Sequence, residues 1–437
     1  MMPSSNSLFA VTGRPILHSQ SPALFEAAFQ ALGIDASYTR IAVSSAEEAI
    51  RVMRQAGIRG LNVTSPFKGT VANLMDSLDQ ASITTGAVNT VTTDGTRLFG
   101  HNTDVSAAVE ALRHRGIDPR GAKAVVLGAG GAGKAAAWGL ACSGASEVVI
   151  VNRTVDKARQ AAERIGCRFA SMDEVHRELL DADILVSCLS TAEPVVDAGS
   201  LKPGLVVLDA NYKARAVEQA AVAVGCRVVP GIDWLVHQAS ASFEIFTGAP
   251  APIEAMRTGL DRGPKGSSRI ALVGFMGSGK SEVVRCLAGR LGLEIVDTDE
   301  WVERAAERSI SEIFAERGEE TFRYLEKAVL KEALDREGAV IACGGGAMLD
   351  TENRSLLMEH TLVVWLWISL DTALSRAGDG SRPLLAEKGS GDAAAKLFQD
   401  RLPGYGEVAD LLVSSENGTP DDIAALIQHE IDQAFPH

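Results

Sequence analysis

Apolar residues in this chain come in short bursts, not long runs. Residues 8–11, 124–127, 147–151, 184–187, 206–208, 227–229, 269–273 and 340–343 are brief, mainly apolar stretches. Such stretches read as buried strands of parallel sheets. Between them, 23–32, an alanine-rich stretch ending at Cys142, 242–247 and 281–291 read as helices. Strand and helix alternate along most of the chain, which predicts an α/β protein. The alternation breaks at 258–268, a polar stretch rich in Gly, Ser and charge that reads as an inter-domain linker.

A chain of 437 residues exceeds one ordinary core, so two or three domains are expected. Hydrophobic residues at 46% and charged residues at 22% fit a soluble globular protein. The formal net charge of −14 weighs against a nucleic-acid partner. It leaves room for small anionic ligands, which need only a local basic pocket. Cys142, Cys167, Cys188, Cys226, Cys286 and Cys343 form no C-x-x-C pair and read as buried thiols of a reducing, cytoplasmic compartment. The first seven residues lack a signal pattern, and no apolar stretch is long enough for a bilayer. Small molecules are the expected partners, with no membrane and no obligatory protein partner.

Two stretches carry phosphate chemistry. Gly274-Phe275-Met276-Gly277-Ser278-Gly279-Lys280-Ser281 matches G-x-x-x-x-G-K-[ST] between a strand and a helix. Gly277, Ser278 and Gly279 let backbone N–H groups face a nucleotide, Lys280 reaches the β- and γ-phosphates of ATP, and Ser281 can ligate Mg²⁺. Glu294-Ile295-Val296-Asp297-Thr298-Asp299 reads as a strand ending in two acids, Asp297 and Asp299. Asp297 can hold Mg²⁺ through water, and Asp299 can orient or deprotonate an acceptor hydroxyl; a strand-end Asp is equally a helix N-cap. The second stretch, Gly128-Ala129-Gly130-Gly131-Ala132-Gly133, fits G-x-G-x-x-G between strand and helix. About twenty-four residues on, Asn152-Arg153-Thr154 and Lys157 stand where an acid would read a ribose. An Arg and a Lys there favour a 2′-phosphate, hence NADP(H).

Further polar groups punctuate strand ends in the first hundred residues. They are His18-Ser19-Gln20-Ser21-Pro22, Asn62-Val63-Thr64-Ser65-Pro66-Phe67-Lys68, Gly86-Ala87-Val88-Asn89-Thr90 and Asn102-Thr103-Asp104. Alone, Ser-x-Ser-Pro is a helix N-cap with Pro in the first turn. In this order and spacing the four resemble the substrate domain of shikimate dehydrogenase. That resemblance implies that Ser19, Ser21, Thr64, Asn89 and Asp104 hold shikimate, with Lys68 and Asp104 catalytic. A Lys beside an Asp can donate or orient the proton a ketone oxygen takes up as hydride arrives, and the sequence leaves open which of the two moves it. The resemblance extends to Tyr212, Gly231 beside the cofactor, and Gln238 in Trp234-Leu235-Val236-His237-Gln238-Ala239. It implies a substrate domain over 1–104 completed by 235–257, and a Rossmann NADP-binding domain over 105–234. Phe25, Val105 and Ser187-Cys188-Leu189 depart from the family pattern. His18, His101 and His237 read as structural or substrate-orienting.

Beyond the linker, the phosphate loop is followed by Asp297-Thr298-Asp299, Gly318-Glu319-Glu320-Thr321-Phe322-Arg323 with Glu326, Gly344-Gly345-Gly346, and Arg382-Pro383-Leu384-Leu385. Together these resemble shikimate kinase, a P-loop fold of the nucleoside monophosphate kinase type, over 269 to about 413, which implies a kinase domain over 269–437. The resemblance implies that Asp299, Arg323, Gly345, Gly346 and Arg401 bind shikimate, that Arg376 lies against adenine, and that Arg382 acts from a compact lid at 377–381. The two resemblances meet in one metabolite. They imply a bifunctional enzyme that makes shikimate with NADPH and phosphorylates it with ATP and Mg²⁺. The alternative is an active kinase behind a weak, quinate-using or binding-only front half.

Overall fold

A computed structural model describes residues 6–189, 195–211, 216–260, 268–377 and 391–435. Its residues group into two compact units, Asn62–Thr258 and Pro3–Leu61 with Gly259–His437.

The core of the first unit is a six-stranded sheet, ordered Arg227–Val229, Val206–Asp209, Ile184–Ser187, Lys123–Leu127, Glu147–Asn152, Arg168–Ser171. Every neighbouring pair is parallel. In chain order this is 6-5-4-1-2-3, the doubly wound arrangement whose ligand crevice opens where strands one and four part. Successive side chains leave opposite faces, so one strand feeds two cores. Ala124, Val126 and Ile150 pack on the side of helices Asp104–His114 and Gly131–Cys142. Val125, Leu127, Val149 and Val151 pack on the other side. Helix Gly231–Thr247 lies against Asp104–His114. Its Asp233 is fully buried and accepts from Arg115 Nε and Arg257 Nη1, both at 2.6 Å. Burial alone would raise that carboxyl, but the two guanidiniums together hold it below the ordinary range.

In the second unit, parallel strands run Glu294–Asp297, Ala339–Ala342, Ile270–Val273, Leu362–Trp367, Leu411–Ser414, Ala36–Ala42, Ser7–Gly13. The join in the middle was not foreseen. Leu412 pairs with Ile41 and Val413 with Ala42, so an edge strand of the phosphate-loop sheet is continued by a strand from the first fifty residues. Thr39 Oγ1 donates to Ala409 O at 2.8 Å beside that join. Helix Pro420–Ala434 packs on helix Lys280–Leu291, the one that follows the phosphate loop.

Three expectations need correction. The first helix starts at Ser21, with Pro22 in its first turn, and its N-cap is Gln20 in the αR region with no side-chain cap bond. Ser19 and Ser21 therefore do not cap it. Helix Ile253–Gly259 occupies the start of the expected linker. Only Cys343 among the six thiols is buried, and Cys142, the last residue of its helix, is exposed.

Candidate active sites

Strand Ile270–Val273 delivers the chain to the phosphate loop, and helix Lys280–Leu291 takes it away. Gly277 and Gly279 sit at φ +83° and +81°, the left-handed region that glycine occupies without strain. The Lys280 ammonium donates to Gly274 O at 2.8 Å and to Phe275 O at 3.3 Å. Ser281 Oγ donates to Asp297 Oδ2 at 2.9 Å, while Asp297 Oδ1 accepts from the backbone N–H groups of Asp299 and Glu300. Asp297 is therefore an N-cap and a neighbour of Ser281 at once. A hydroxyl and a carboxylate oxygen side by side fit Mg²⁺ that keeps most of its waters. Arg376 donates to Gly277 O, Ser415 O and Glu416 O, and lines a hollow of about 310 Å³ on the far side of the loop.

On the near side is a cavity of about 390 Å³, lined among others by Lys280, Asp299, Arg323, Gly345, Gly346 and Arg401. Arg323 Nη1 donates to Glu326 Oε2 at 2.7 Å, and its Nε and Nη2 donate to Glu319 Oε1 at 3.3 and 3.1 Å. Burial pushes the Glu326 carboxyl up against the pull of Arg323. Arg401 is buried, with its guanidinium 5.5 Å from the Phe275 ring centroid. A methyl on Gly346 would lie 2.5 Å from Arg323 Nη1, and one on Gly345 3.3 Å from Arg401 Nη1. The glycines are thus what lets both guanidiniums approach the backbone. Tyr405 donates to Gly345 O at 2.6 Å, and burial pushes its hydroxyl up to about 12. The sequence alone assigns Glu326 no role. Its spacing of three from Arg323 on one helix was the available signal.

In the first unit, Lys68 opens helix Lys68–Ala72 and Asp104 opens helix Asp104–His114. Lys68 Nζ stands 2.6 Å from Asp104 Oδ2, with the carboxylate side chain only 5% exposed. Asp104 N donates to Asn102 Oδ1 at 3.1 Å, and Asn102 Nδ2 donates to Thr85 Oγ1 and Ala87 O. Asn89 Oδ1 accepts from Thr103 N at 2.9 Å and from Thr90 Oγ1 at 3.0 Å. Ser242, on helix Gly231–Thr247, stands 2.9 Å from Asn62 Nδ2, 2.8 Å from Thr90 Oγ1 and 3.1 Å from Thr103 Oγ1. Gln238 O accepts from Thr103 and Ser242. Half-buried Thr64 closes a turn, its carbonyl accepting from Phe67 N at 3.0 Å. The sequence alone assigns Ser242 and Thr103 no role. Nothing in a Ser on a helix announces a partner 180 residues away.

The dinucleotide loop follows Leu127. A methyl on Gly133 would overlap the carbonyl oxygen of Gly128. Asn152 Oδ1 accepts from Ala129 N at 3.3 Å, and Asn152 Nδ2 donates to Thr154 O at 2.9 Å, tying the loop to the next strand end. Arg153, Thr154 and Lys157 are exposed there, so two cations face solvent just past that strand end. Gly130 caps helix Gly131–Cys142, and a methyl on Gly131 would lie 3.5 Å from Lys68 Cδ. The loop thus passes beside the Lys68–Asp104 pair. Gly231 begins its helix where a methyl would overlap Asp209 O. Burial first, then the carboxylates of Asp104 and Asp209, push the Cys188 thiol far up, so it stays protonated beside the pair.

Ser19 and Ser21, in the second unit, have hydroxyls 3.3 Å apart. Burial lowers the imidazoles of His101 and His237 below their ordinary range. Tyr212, Arg382 and most of the expected lid lie outside the described residues.

Residues 11–91 match the family model described as the shikimate dehydrogenase substrate binding domain, 110–210 that for shikimate / quinate 5-dehydrogenase, and 231–258 that for the shikimate 5′-dehydrogenase C-terminal domain. A shikimate dehydrogenase (NADP(+)) of Methanopyrus kandleri is 40% identical over 275 residues, which cover 58% of this chain and 94% of the relative. The chain belongs to the shikimate dehydrogenase family. Residues 276–432 match the model for shikimate kinase, so a shikimate kinase domain follows the dehydrogenase. A solved shikimate dehydrogenase in complex with NADP+ shares 30% identity at a TM-score of 0.55, covering 61% of this chain and 98% of its own. That of Thermus thermophilus, in complex with NADP(H) and shikimate, shares 32% at 0.54, covering 59% and 99%.

Proposed function

We propose that this chain carries out two consecutive reactions on one metabolite, reducing 3-dehydroshikimate to shikimate with NADPH and phosphorylating shikimate with ATP. The observation that carries the reading is the position of each phosphate-binding loop against a charged pair. Gly131 lies beside Lys68–Asp104, and Lys280–Ser281 shares a cavity with Arg323–Glu326 and Asp299. The Lys–Asp contact of 2.6 Å lies beside the dinucleotide loop, where hydride and proton would be delivered together, which favours an active front half over a binding-only one.

In the dehydrogenase, NADPH supplies the hydride. The Lys68–Asp104 pair supplies the proton to the ketone oxygen, with the buried carboxylate keeping the ammonium aimed. Asn89 and Thr64 bind substrate hydroxyls, and the resemblance adds Ser19, Ser21, Tyr212 and Gln238. Arg153 and Lys157 read the 2′-phosphate, which is why NADP(H) is preferred over NAD. In the kinase, Arg323 and Arg401 hold the substrate carboxylate, and Asp299 accepts the hydrogen of the attacking hydroxyl. Lys280 neutralises phosphate charge, and Arg382 assists. Ser281 and, through water, Asp297 would hold Mg²⁺, which would supply further positive charge. Most of the kinase rate then comes from positioning and electrostatics.

The division into 1–104 with 235–257, 105–234, and 269–437 draws support from the ranges of the four matched models. Small molecules are the partners, and the cytoplasm is the proposed location. Among the described residues no helix is long and apolar enough to cross a membrane.

The test is NADPH consumption by the purified chain with 3-dehydroshikimate, with and without MgATP, while following shikimate 3-phosphate. Both activities are expected. If added shikimate is phosphorylated but NADPH is not consumed, the reading of the front half fails.

A further inference from the structure

The turn that carries Ser19 is held by a side chain more than four hundred residues away. Glu430, on helix Pro420–Ala434, is completely buried. Its Oε2 accepts from the backbone N–H of Ile16 at 2.7 Å and of Leu17 at 2.8 Å. Ile16 and Leu17 are themselves buried. The carbonyl of Ile16 in turn accepts from Ser19 N at 2.9 Å, so the residue Glu430 holds is the one that closes the turn onto Ser19. Ser21 N donates to Ser19 Oγ at 3.3 Å and completes the relay. A second tie acts on the same turn. Arg40 donates to Ser19 O from Nε and Nη2, at 3.1 and 2.7 Å, and from Nη1 to Asp410 O at 3.2 Å. Asp410 immediately precedes strand Leu411–Ser414 of the kinase sheet.

We infer that Glu430, on the last helix of the kinase segment, is a positioning residue for the dehydrogenase reaction, fixing the turn that sets the Ser19 and Ser21 hydroxyls. A buried carboxylate is expensive unless charge-assisted bonds hold it. Here it is spent on two backbone N–H groups of the front segment, and its Oε1 has no partner among the described residues. That is a poor arrangement for stabilising its own helix and a good one for fixing a turn. The kinase segment then completes the dehydrogenase, not merely follows it. This rests on the reading that Ser19 and Ser21 bind the dehydrogenase substrate.

The experiment compares the full chain with Glu430→Gln and Glu430→Ala. Gln keeps the shape and one acceptor, whereas Ala removes both. Steady-state kinetics of both reactions and amide hydrogen exchange across residues 14–24 are measured on each protein. The expected result is a rise in KM for 3-dehydroshikimate of roughly tenfold in Glu430→Gln and more in Glu430→Ala, the size of one or more charge-assisted bonds. Exchange at 14–24 should quicken in the same order, with KM for shikimate and kcat of the kinase unchanged. An unaltered dehydrogenase KM in both variants, with kinase activity retained, overturns the inference. So does an equal loss of both activities in both variants, since Glu430 would then be holding its own helix. If the unaltered chain consumes no NADPH, it is the proposed dehydrogenase function that fails. The exchange comparison then still decides whether Glu430 holds the turn, and unchanged exchange overturns the inference.

Discussion

Replacing Gly346 with Ala tests the kinase site through one methyl group. Gly346 has φ −107° and ψ −4°, which any residue adopts, so the backbone sets no penalty. The methyl would stand 2.5 Å from Nη1, 2.6 Å from Nη2 and 2.8 Å from Cζ of Arg323. A relaxed carbon–nitrogen contact needs roughly 3.5 Å, so the guanidinium must retreat by about 1 Å. Arg323 is tied to Glu326 at 2.7 Å and to Glu319 at 3.1 Å, and a retreat weakens those bonds or withdraws the fork from the cavity. Losing one charge-assisted bond to a substrate carboxylate costs about 1.5–3 kcal/mol. That corresponds to a rise in KM for shikimate of roughly ten- to a hundredfold. Initial rates of phosphoryl transfer with shikimate varied at saturating MgATP give the number. KM for ATP and the rate of NADPH oxidation should not move. In an Arg323→Ala background the methyl has room, so the second substitution should add little, a coupling that a double-mutant cycle measures. An unchanged KM, or the same increment with Arg323 absent, would refute the reasoning.

Other substitutions address the remaining machinery. Lys68→Ala should reduce NADPH oxidation at least about a hundredfold and leave shikimate phosphorylation intact, since general acid–base groups contribute that much; coupled and uncoupled assays on one preparation show it. Arg153→Ala should weaken NADP binding by roughly tenfold while barely changing NAD binding, read by titration with each cofactor. Gly133→Ala, whose methyl overlaps the Gly128 carbonyl, should abolish dinucleotide binding and leave the kinase active. Asp233→Asn leaves two guanidiniums facing a neutral side chain and should destabilise the first unit by about 1–3 kcal/mol near pH 7, Arg115 being 44% exposed and so partly solvated. The fold depresses the Asp233 pKa, so its stabilisation is complete above the ordinary carboxylate range and is lost as pH falls through and below it. The gap between the urea midpoints of the two proteins should therefore narrow as pH falls below the ordinary carboxylate range, and a constant gap would contradict the assignment.

Much of the fold was legible because local pattern and tertiary role agree. Strands at 184–187 and 227–229 begin and end where the apolar runs do. Both glycine loops lie between the strand and helix that their spacing demands. The Lys68–Asp104 contact could be expected only because each residue ended a recognisable stretch; the long stretch of chain between them gives no local reason for it. Asp297 shows the limit of reading a residue type. A strand-end acid can be a cap or a metal neighbour, and the geometry makes it both by giving one oxygen to helix Thr298–Ala306 and the other to Ser281. The pairing of Leu412 with Ile41 had no signal at all, because any apolar edge strand presents the same backbone donors and acceptors.

Glu430 lies between these cases. On helix Pro420–Ala434 the buried positions are Ile423, Ala424, Ile427 and Glu430, spaced as one apolar stripe. The periodicity alone therefore puts a carboxylate on the face that is withdrawn from water. A charge in that position must find donors or be neutralised. Its own helix offers none on that face, because interior backbone N–H groups are already paired along the helix. The donors must therefore be other groups, as arginine side chains are for buried Asp233 and Glu326. The sequence shows that Glu430 needs such donors but not whether they are side chains or backbone. The folded structure, by placing Ile16 N and Leu17 N within 2.8 Å, shows that they are backbone N–H groups of the turn bearing Ser19.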